Sequence, residues 1–240
     1  MFERPHHQRI AAILQSLDAD LLLADRCLFG GGTAIALRHG EYRESVDIDF
    51  LVSDPNGYRA LRERLTGPAG VQAIARAGAL LEAAREVRAD QYGVRTLLRT
   101  GGIDIKFEIV GEGRIVIDPP GASDRICGVA TLTRLDMAAT KLLANSDRWA
   151  DDAVMSRDLI DLAMMEPEPE LLRGAMAKAA AAYGKSIAAD LVRAIEALRT
   201  RPHRLDRCME ALQMTTVPKA LLWKRIKALA SLAGETRGKR

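Results

Sequence analysis

Residues 29–50 hold the most restrictive pattern in the chain. Phe29-Gly30-Gly31-Gly32-Thr33-Ala34-Ile35-Ala36-Leu37-Arg38 sets three glycines and a threonine ahead of a short helical stretch. Val46-Asp47-Ile48-Asp49-Phe50 then alternates carboxylates with apolar residues. Alternate side chains of a strand share a face. Asp47 and Asp49 are therefore expected to point one way, and Val46, Ile48 and Phe50 into a core. The local order is strand, glycine turn, helix, strand.

Two carboxylates on one face repel each other. A divalent cation between them relieves the repulsion, and magnesium suits the arrangement because it takes one or two carboxylates together with phosphate oxygens. The glycine turn offers free N–H groups at a helix N-terminus, where phosphate binds. Together these imply a nucleoside triphosphate site. No lysine follows the glycines at P-loop spacing, and the G-x-G-x-x-G spacing of a dinucleotide fingerprint is absent.

With 240 residues and 48% hydrophobic content, the chain can bury a core in one or two domains. Lys+Arg 35 against Asp+Glu 32 neither demands nor excludes a nucleic-acid partner. The basic tail Glu235–Arg240 reads as a solubilising end. Cys27, Cys127 and Cys208 are isolated, which argues against a zinc site or a disulfide framework and for a reducing, cytoplasmic setting. The N-terminus lacks the apolar stretch of a secretory signal, and no run is long enough to span a membrane.

Apolar spacing predicts a helix over 6–24. His6 and His7 at its start point to different faces, so they are not expected to share a metal. A strand over 26–30, a helix over 33–39 ended by Gly40, and a strand over 46–52 follow. A helix is expected over 57–66. Residues 71–77 finish a helix in one reading, with strands over 80–90 and 92–99. Ile103-Asp104-Ile105-Lys106-Phe107-Glu108-Ile109-Val110 has the alternation of a half-buried strand, with Ile103, Ile105, Phe107 and Ile109 inward. Asp104 and Glu108 both qualify by parity as a third carboxylate beside the aspartate pair, as two-metal phosphoryl-transfer sites often require. Arg114–Ile117 reads as a short edge strand in an otherwise loop-like 111–130.

From Thr133 onward the pattern is helical. The expected fold is α+β: a mixed β-sheet with helices over 1–130, then an all-helical domain over 131–240 that contributes to the active-site cleft. One helix starts at Thr133-Arg134-Leu135-Asp136, with Lys141, Asn145 and Arg148 on a polar face. The next carries Met155, Leu159, Leu162 and Ala163 inward, with Asp158 and Asp161 adjacent at i, i+3.

Gly31-Gly32-Thr33 followed by Asp47-Ile48-Asp49-Phe50 resembles the signature of the nucleotidyltransferase superfamily. Lys141-Leu-Leu-Ala144, Arg148 and Arg157-Asp158-Leu159-Ile160-Asp161-Leu162 resemble the second signature of one branch, the AbiEii/AbiGii-type nucleotidyltransferase toxins, including the MenT-like tRNA-modifying toxins. Arg43-x-Ser45-x-Asp47-x-Asp49 agrees with that branch; Glu41-Tyr42-Arg43 stands where many relatives have Gly-His-Arg. In the superfamily the third acidic strand reads apolar-Lys-apolar-Asp/Glu, which selects Glu108 over Asp104.

The resemblance implies a magnesium-dependent transfer of a nucleoside monophosphate from an NTP to an acceptor hydroxyl, with tRNA or another RNA as acceptor and an antitoxin protein as partner. Gly31, Gly32 and Thr33 would cradle the triphosphate, the last also through its hydroxyl. Asp47, Asp49 and Glu108 would hold the metal, Glu108 also acting as base. Lys141 would neutralise phosphate charge, its loss costing catalysis more than folding. Asp158 and Asp161 would either position Lys141 or contact the nucleotide. Arg43 and Ser45 would lie at the rim. The arginine-rich stretches 193–207 and 219–227 are candidates for an RNA backbone. A small-molecule acceptor, as in aminoglycoside-modifying relatives, and an inactive nucleotide-binding or interaction module are the alternatives.

Overall fold

Alternating apolar residues build the first unit of the chain around a mixed sheet. The computed structural model describes residues 2–238, and side chains through residue 230. The chain divides into two units: Met1–Glu41 with Ser45–Thr133, and Tyr42–Glu44 with Arg134–Arg240. Tyr42–Glu44 thus packs with the helical unit although it lies inside the sheet unit's sequence.

The first unit opens with α1 (Pro5–Ser16) and α2 (Ala19–Ala24). The single helix expected over 6–24 is broken because the Asp18 carboxylate accepts from Leu21 N–H and starts a new helix. Then come β1 (Leu28–Gly30), α3 (Gly31–Arg38), β2 (Ile48–Val52) and α4 (Pro55–Thr66). Residues 70–74 form a 3₁₀ turn rather than the end of a longer helix. The strand expected over 80–90 shrinks to β3 (Glu82–Ala83) and β4 (Arg88–Ala89), and Leu80 is exposed. β5 (Gly93–Thr100) and β6 (Ile103–Gly111) form a long hairpin. Arg114–Ile117 is not a strand; the short hairpin of β7 (Arg125–Ile126) and β8 (Val129–Ala130) occupies the region read as loop.

The strand order is β1-β2-β6-β5-β3, with β4 also on β5. β2 and β6 are parallel, and the other pairings in this sheet are antiparallel. Phe29, Phe50 and Phe107 are buried in tilted contact, their centroids 5.5 and 5.6 Å apart. Ile48, Ile105 and Ile109 complete this core face. Ile103 and Val46 break the expected pattern. Ile103 sits at the hairpin turn and is 40% exposed; Val46 precedes β2 and is 48% exposed.

The second unit contains α5 (Arg134–Arg148), α6 (Arg157–Met164), α7 (Pro169–Tyr183), α8 (Ser186–Thr200), α9 (Arg204–Ala211) and α10 (Lys219–Gly238). Leu142, Leu143, Leu159, Ile160, Leu162, Leu172 and Leu191 form its core. Met155, expected on the inward face of α6, lies before that helix with φ 53°. The side chains of the basic tail 235–240 fall outside the described residues. No described helix is long and apolar enough to cross a membrane.

One close approach inside the first unit is testable. A Cβ on Gly57, in the first turn of α4, would fall 2.1 Å from the Asp25 carbonyl oxygen. Backbone on both sides must then shift. Gly57→Ala is expected to cost about 1–3 kcal/mol, read as a lower urea midpoint with unchanged slope.

Candidate active site

One register row crosses four strands. Gly30 on β1 pairs with Asp49 on β2, Asp49 with Glu108 on β6, and Glu108 with Arg95 on β5. Directly paired residues share a face. Asp49, Glu108 and Arg95 therefore lie on the face opposite the phenylalanine core. Asp104 is four residues from Glu108, beyond the end of β2, and is bonded to Arg99 at 2.7 and 3.1 Å. Of the two acids with the right parity, Glu108 is the neighbour of Asp49.

The row ends at the N-terminus of α3. Gly31 has φ 67°, and a Cβ there would lie 2.6 Å from Asp49 Oδ2. Only glycine suits both constraints. The Asp49 carboxylate consequently lies against the first turn of α3, whose early N–H groups have no helical acceptor. Thr33 is buried, and its hydroxyl lies 2.8 Å from Ser45 Oγ and donates to the Asp47 carbonyl oxygen at 2.5 Å. That hydroxyl holds the Ser45–Asp47 segment rather than facing a triphosphate. Asp47 itself precedes β2 and takes no place in its ladder.

Glu108 is engaged on both oxygens. Its Oε1 accepts from Arg95 Nε at 2.6 Å, and its Oε2 pairs with Lys106 Nζ at 2.7 Å. Burial pushes its carboxyl up, but Lys106 and Arg95 outweigh burial and hold it below the ordinary glutamate range. Burial lowers the Lys106 ammonium, while Glu108, and then Asp49 and Asp47, raise it above its usual value. Lys106, absent from the expected site, therefore feels all three carboxylates. The i, i+2 spacing to Glu108 was the available signal.

A divalent cation such as magnesium is the ligand that a pair of neighbouring carboxylates would take. Asp47 and Asp49 are half-buried hard-oxygen donors, and the Asp49 carboxylate lies beside the N-terminus of α3. That pair fits a magnesium ion that draws its other ligands from phosphate and water. Among the described residues no group of three or more His, Cys, Asp or Glu is arranged to hold a metal. The Glu108 carboxylate faces Lys106 and Arg95.

In the helical unit a second polar cluster is buried. Asp161, fully enclosed, accepts from Arg43 Nε and Nη2 at 2.6 and 2.9 Å and from Tyr42 Oη at 2.6 Å. Lys141 Nζ lies 2.7 Å from Asp161 and 3.0 Å from Asp158. Arg148 makes a two-pronged contact with Asp158 at 2.7 and 3.0 Å. Lys141, Asp158 and Asp161 therefore come together, as the Lys/Asp signature suggested, and Arg43 joins them. Arg43 is not at a rim: it is 4% exposed. Lys141 is likewise enclosed between carboxylates, so its loss is expected to cost stability, which the sequence reading did not anticipate.

Burial raises the Asp158 carboxyl, but Lys141 and Arg148 reverse this and hold it well below the usual range. Asp161 is lowered in the same way, by Arg43 and then Lys141.

The basic stretches are largely internally paired. Arg193 meets Asp190, Arg199 meets Glu196, Arg201 and Arg204 meet Asp152, Lys219 meets Asp206 and Arg225 meets Glu166.

Comparison with known proteins gives consistent results. A family model described as "Nucleotidyl transferase AbiEii toxin, Type IV TA system" matches residues 12–230. A crystal structure described as a "putative nucleotidyltransferase from H. pylori" superposes with TM-score 0.53 at 18% identity, covering 98% of this chain and 94% of that one. The structure of JHP933 from Helicobacter pylori gives TM-score 0.53 at 17% identity, covering 100% and 94%. No curated protein matches the chain.

Two outcomes follow from the buried cluster. Asp161→Ala leaves Arg43 and Lys141 short of a buried counter-charge and should cost about 3–5 kcal/mol in urea unfolding. Both aspartates are depressed in the folded state relative to an unfolded value of about 3.9. Their stabilisation is complete above that value and is lost as pH falls through the folded values. Stability should therefore drop below about pH 4, and Asp158→Asn should flatten that drop in acid titrations followed by circular dichroism.

Proposed function

As the chain belongs to the AbiEii nucleotidyltransferase toxin family of type IV toxin–antitoxin systems, we propose that it transfers a nucleoside monophosphate from an NTP to an RNA hydroxyl, with tRNA as the leading acceptor. The observation that carries this reading is the contact of the Asp49 carboxylate with the first turn of α3 at Gly31. A metal-binding acid and a phosphate-binding N-terminus there meet at one point.

In the reaction the acceptor hydroxyl oxygen forms a new bond to the α-phosphorus, the bond to the bridging oxygen breaks in line, pyrophosphate leaves, and the hydroxyl proton passes to solvent water. Gly31 and Gly32 would hold phosphate oxygens through their N–H groups, and Asp47 and Asp49 would hold the magnesium. Magnesium, when bound, offsets the negative charge that develops on the phosphates. Lys106 and Arg95, presented by Glu108, set positive charge on the same face. Glu108 acts here first as the anchor of those two cations; a base role requires one of them to leave its carboxylate. In the helical unit, Asp161 with Lys141 fixes Arg43, and Asp158 fixes Lys141. Enclosed by one another, these groups hold the polar cluster of the helical unit together. The partner that restrains the enzyme is an antitoxin protein, as the family implies.

The test is incubation with each of the four labelled NTPs, magnesium and total tRNA. Label should enter RNA with at least one nucleotide. Asp49→Asn should lower the rate about 1,000-fold or more, equivalent to about 4 kcal/mol of transition-state stabilisation, while its circular dichroism stays unchanged. Label confined to a small hydroxyl compound would move the acceptor to that class. NTP binding without any transfer would make the chain a binding module.

A further inference from the structure

Asp47 lies outside the sheet, yet the segment that carries it is tied down from three directions. Residues 44–47 are neither helix nor strand. His7 Nε2 accepts the Ser45 N–H at 3.1 Å. His6 Nε2 donates to the Val46 carbonyl oxygen at 3.0 Å. The Thr33 hydroxyl reaches Ser45 Oγ and the Asp47 carbonyl oxygen. Three successive residues are thereby held by side chains of α1 and α3.

The His7 ring is itself fixed. It is fully buried on the first turns of α1, and its Nδ1 lies 2.7 Å from Glu41 Oε1. Because Nε2 accepts from an N–H, the proton of the neutral ring sits on Nδ1 and is donated to the Glu41 carboxylate. Glu41 also accepts from the Glu3 and Arg4 N–H groups at 2.7 and 3.1 Å, ahead of α1. The backbone reaches this position through two left-handed residues, Gly40 at φ 77° and Glu41 at φ 53°. A left-handed glutamate is unfavourable, and such strain persists where surrounding bonds determine it. The carboxylate–imidazole–amide chain accounts for it here.

We propose that His7, oriented by Glu41, is a positioning residue that holds the Ser45–Asp47 segment so that Asp47 reaches the metal bound by Asp49. The inference rests on the assignment of Asp47 and Asp49 to magnesium made above. Without His7, the Ser45 N–H loses its acceptor, and the segment carrying Asp47 keeps only the His6 and Thr33 bonds, with no ladder to fall back on. Supporting groups of this kind typically govern metal affinity by about 10–100-fold.

Manganese binding to the full-length protein, followed by titration calorimetry and by the electron paramagnetic resonance of free ion, tests this without turnover. His7→Leu should weaken manganese binding about 10–100-fold, and His7→Gln, whose amide oxygen can accept the Ser45 N–H, should recover most of it. His6→Ala removes a bond from a partly exposed residue and should fold normally, with a weaker loss of about 2–5-fold, one hydrogen bond's worth. Gly57→Ala, destabilised elsewhere in the same unit, should bind manganese as the wild type does. In transfer assays His7→Leu should lower kcat with little change in KM for the NTP. Equal manganese affinity in the wild type, His7→Leu and His6→Ala overturns the positioning role alone. A loss in Gly57→Ala equal to that in His7→Leu also overturns it, since general destabilisation then suffices. A wild-type protein that binds no manganese overturns the metal assignment, and this inference with it.

Discussion

The parallel register of β2 on β6 is the constraint on which the candidate site depends. It sets Asp49 beside Glu108, with Gly30 and Arg95 completing the row. The opposite face of the same strands is occupied by Phe29, Phe50 and Phe107. A slip of one residue would turn the acids into that core and the phenylalanines into water. The hydrophobic effect acting on one face thus holds the polar geometry of the other.

The sheet fixes only part of the site. Asp49 is a ladder residue, whereas Asp47 depends on side-chain bonds from α1 and α3. The two aspartates, two residues apart in sequence, are held by different kinds of force. Glu108 adds a third arrangement, in which a carboxylate is held by two cations at its own face. In the helical unit, burial is tolerated because charges are closely matched: Arg43, Lys141 and Arg148 surround Asp158 and Asp161. Desolvation opposes each group there, and the neighbouring opposite charge outweighs it.

Alternation was a dependable guide wherever a strand has one wet face. It identified β6 and the inward Ile105, Phe107 and Ile109, and it failed at Ile103, where the hairpin turn exposes the side chain. It carried β2 too far back, since Val46 and Asp47 continue the pattern without a partner strand. It overextended the 80–90 strand, where only two short pairings to β5 form. The helix over 6–24 was legible as helix, but its break at Asp18 is a capping event whose signal is a single aspartate. Lys141, Asp158 and Asp161 were legible as a group through the resemblance of their segment to the family's second signature. Their burial was not, because a charged helix position looks the same whether its partner is water or another helix.

The sequence by itself determined the α+β class and much of the order of elements, which follow from periodicity and local backbone preference acting over a few residues. The family followed from the resemblance of its motifs. Only the tertiary structure decided that Asp49 and Glu108 are register partners, that Arg95 reaches Glu108, that Arg43 and Lys141 are buried, and that His7 reaches Ser45. Each of those is a contact between residues far apart in the chain or a matter of solvent exposure. Strand pairing and burial set such contacts, and neither leaves a local signature.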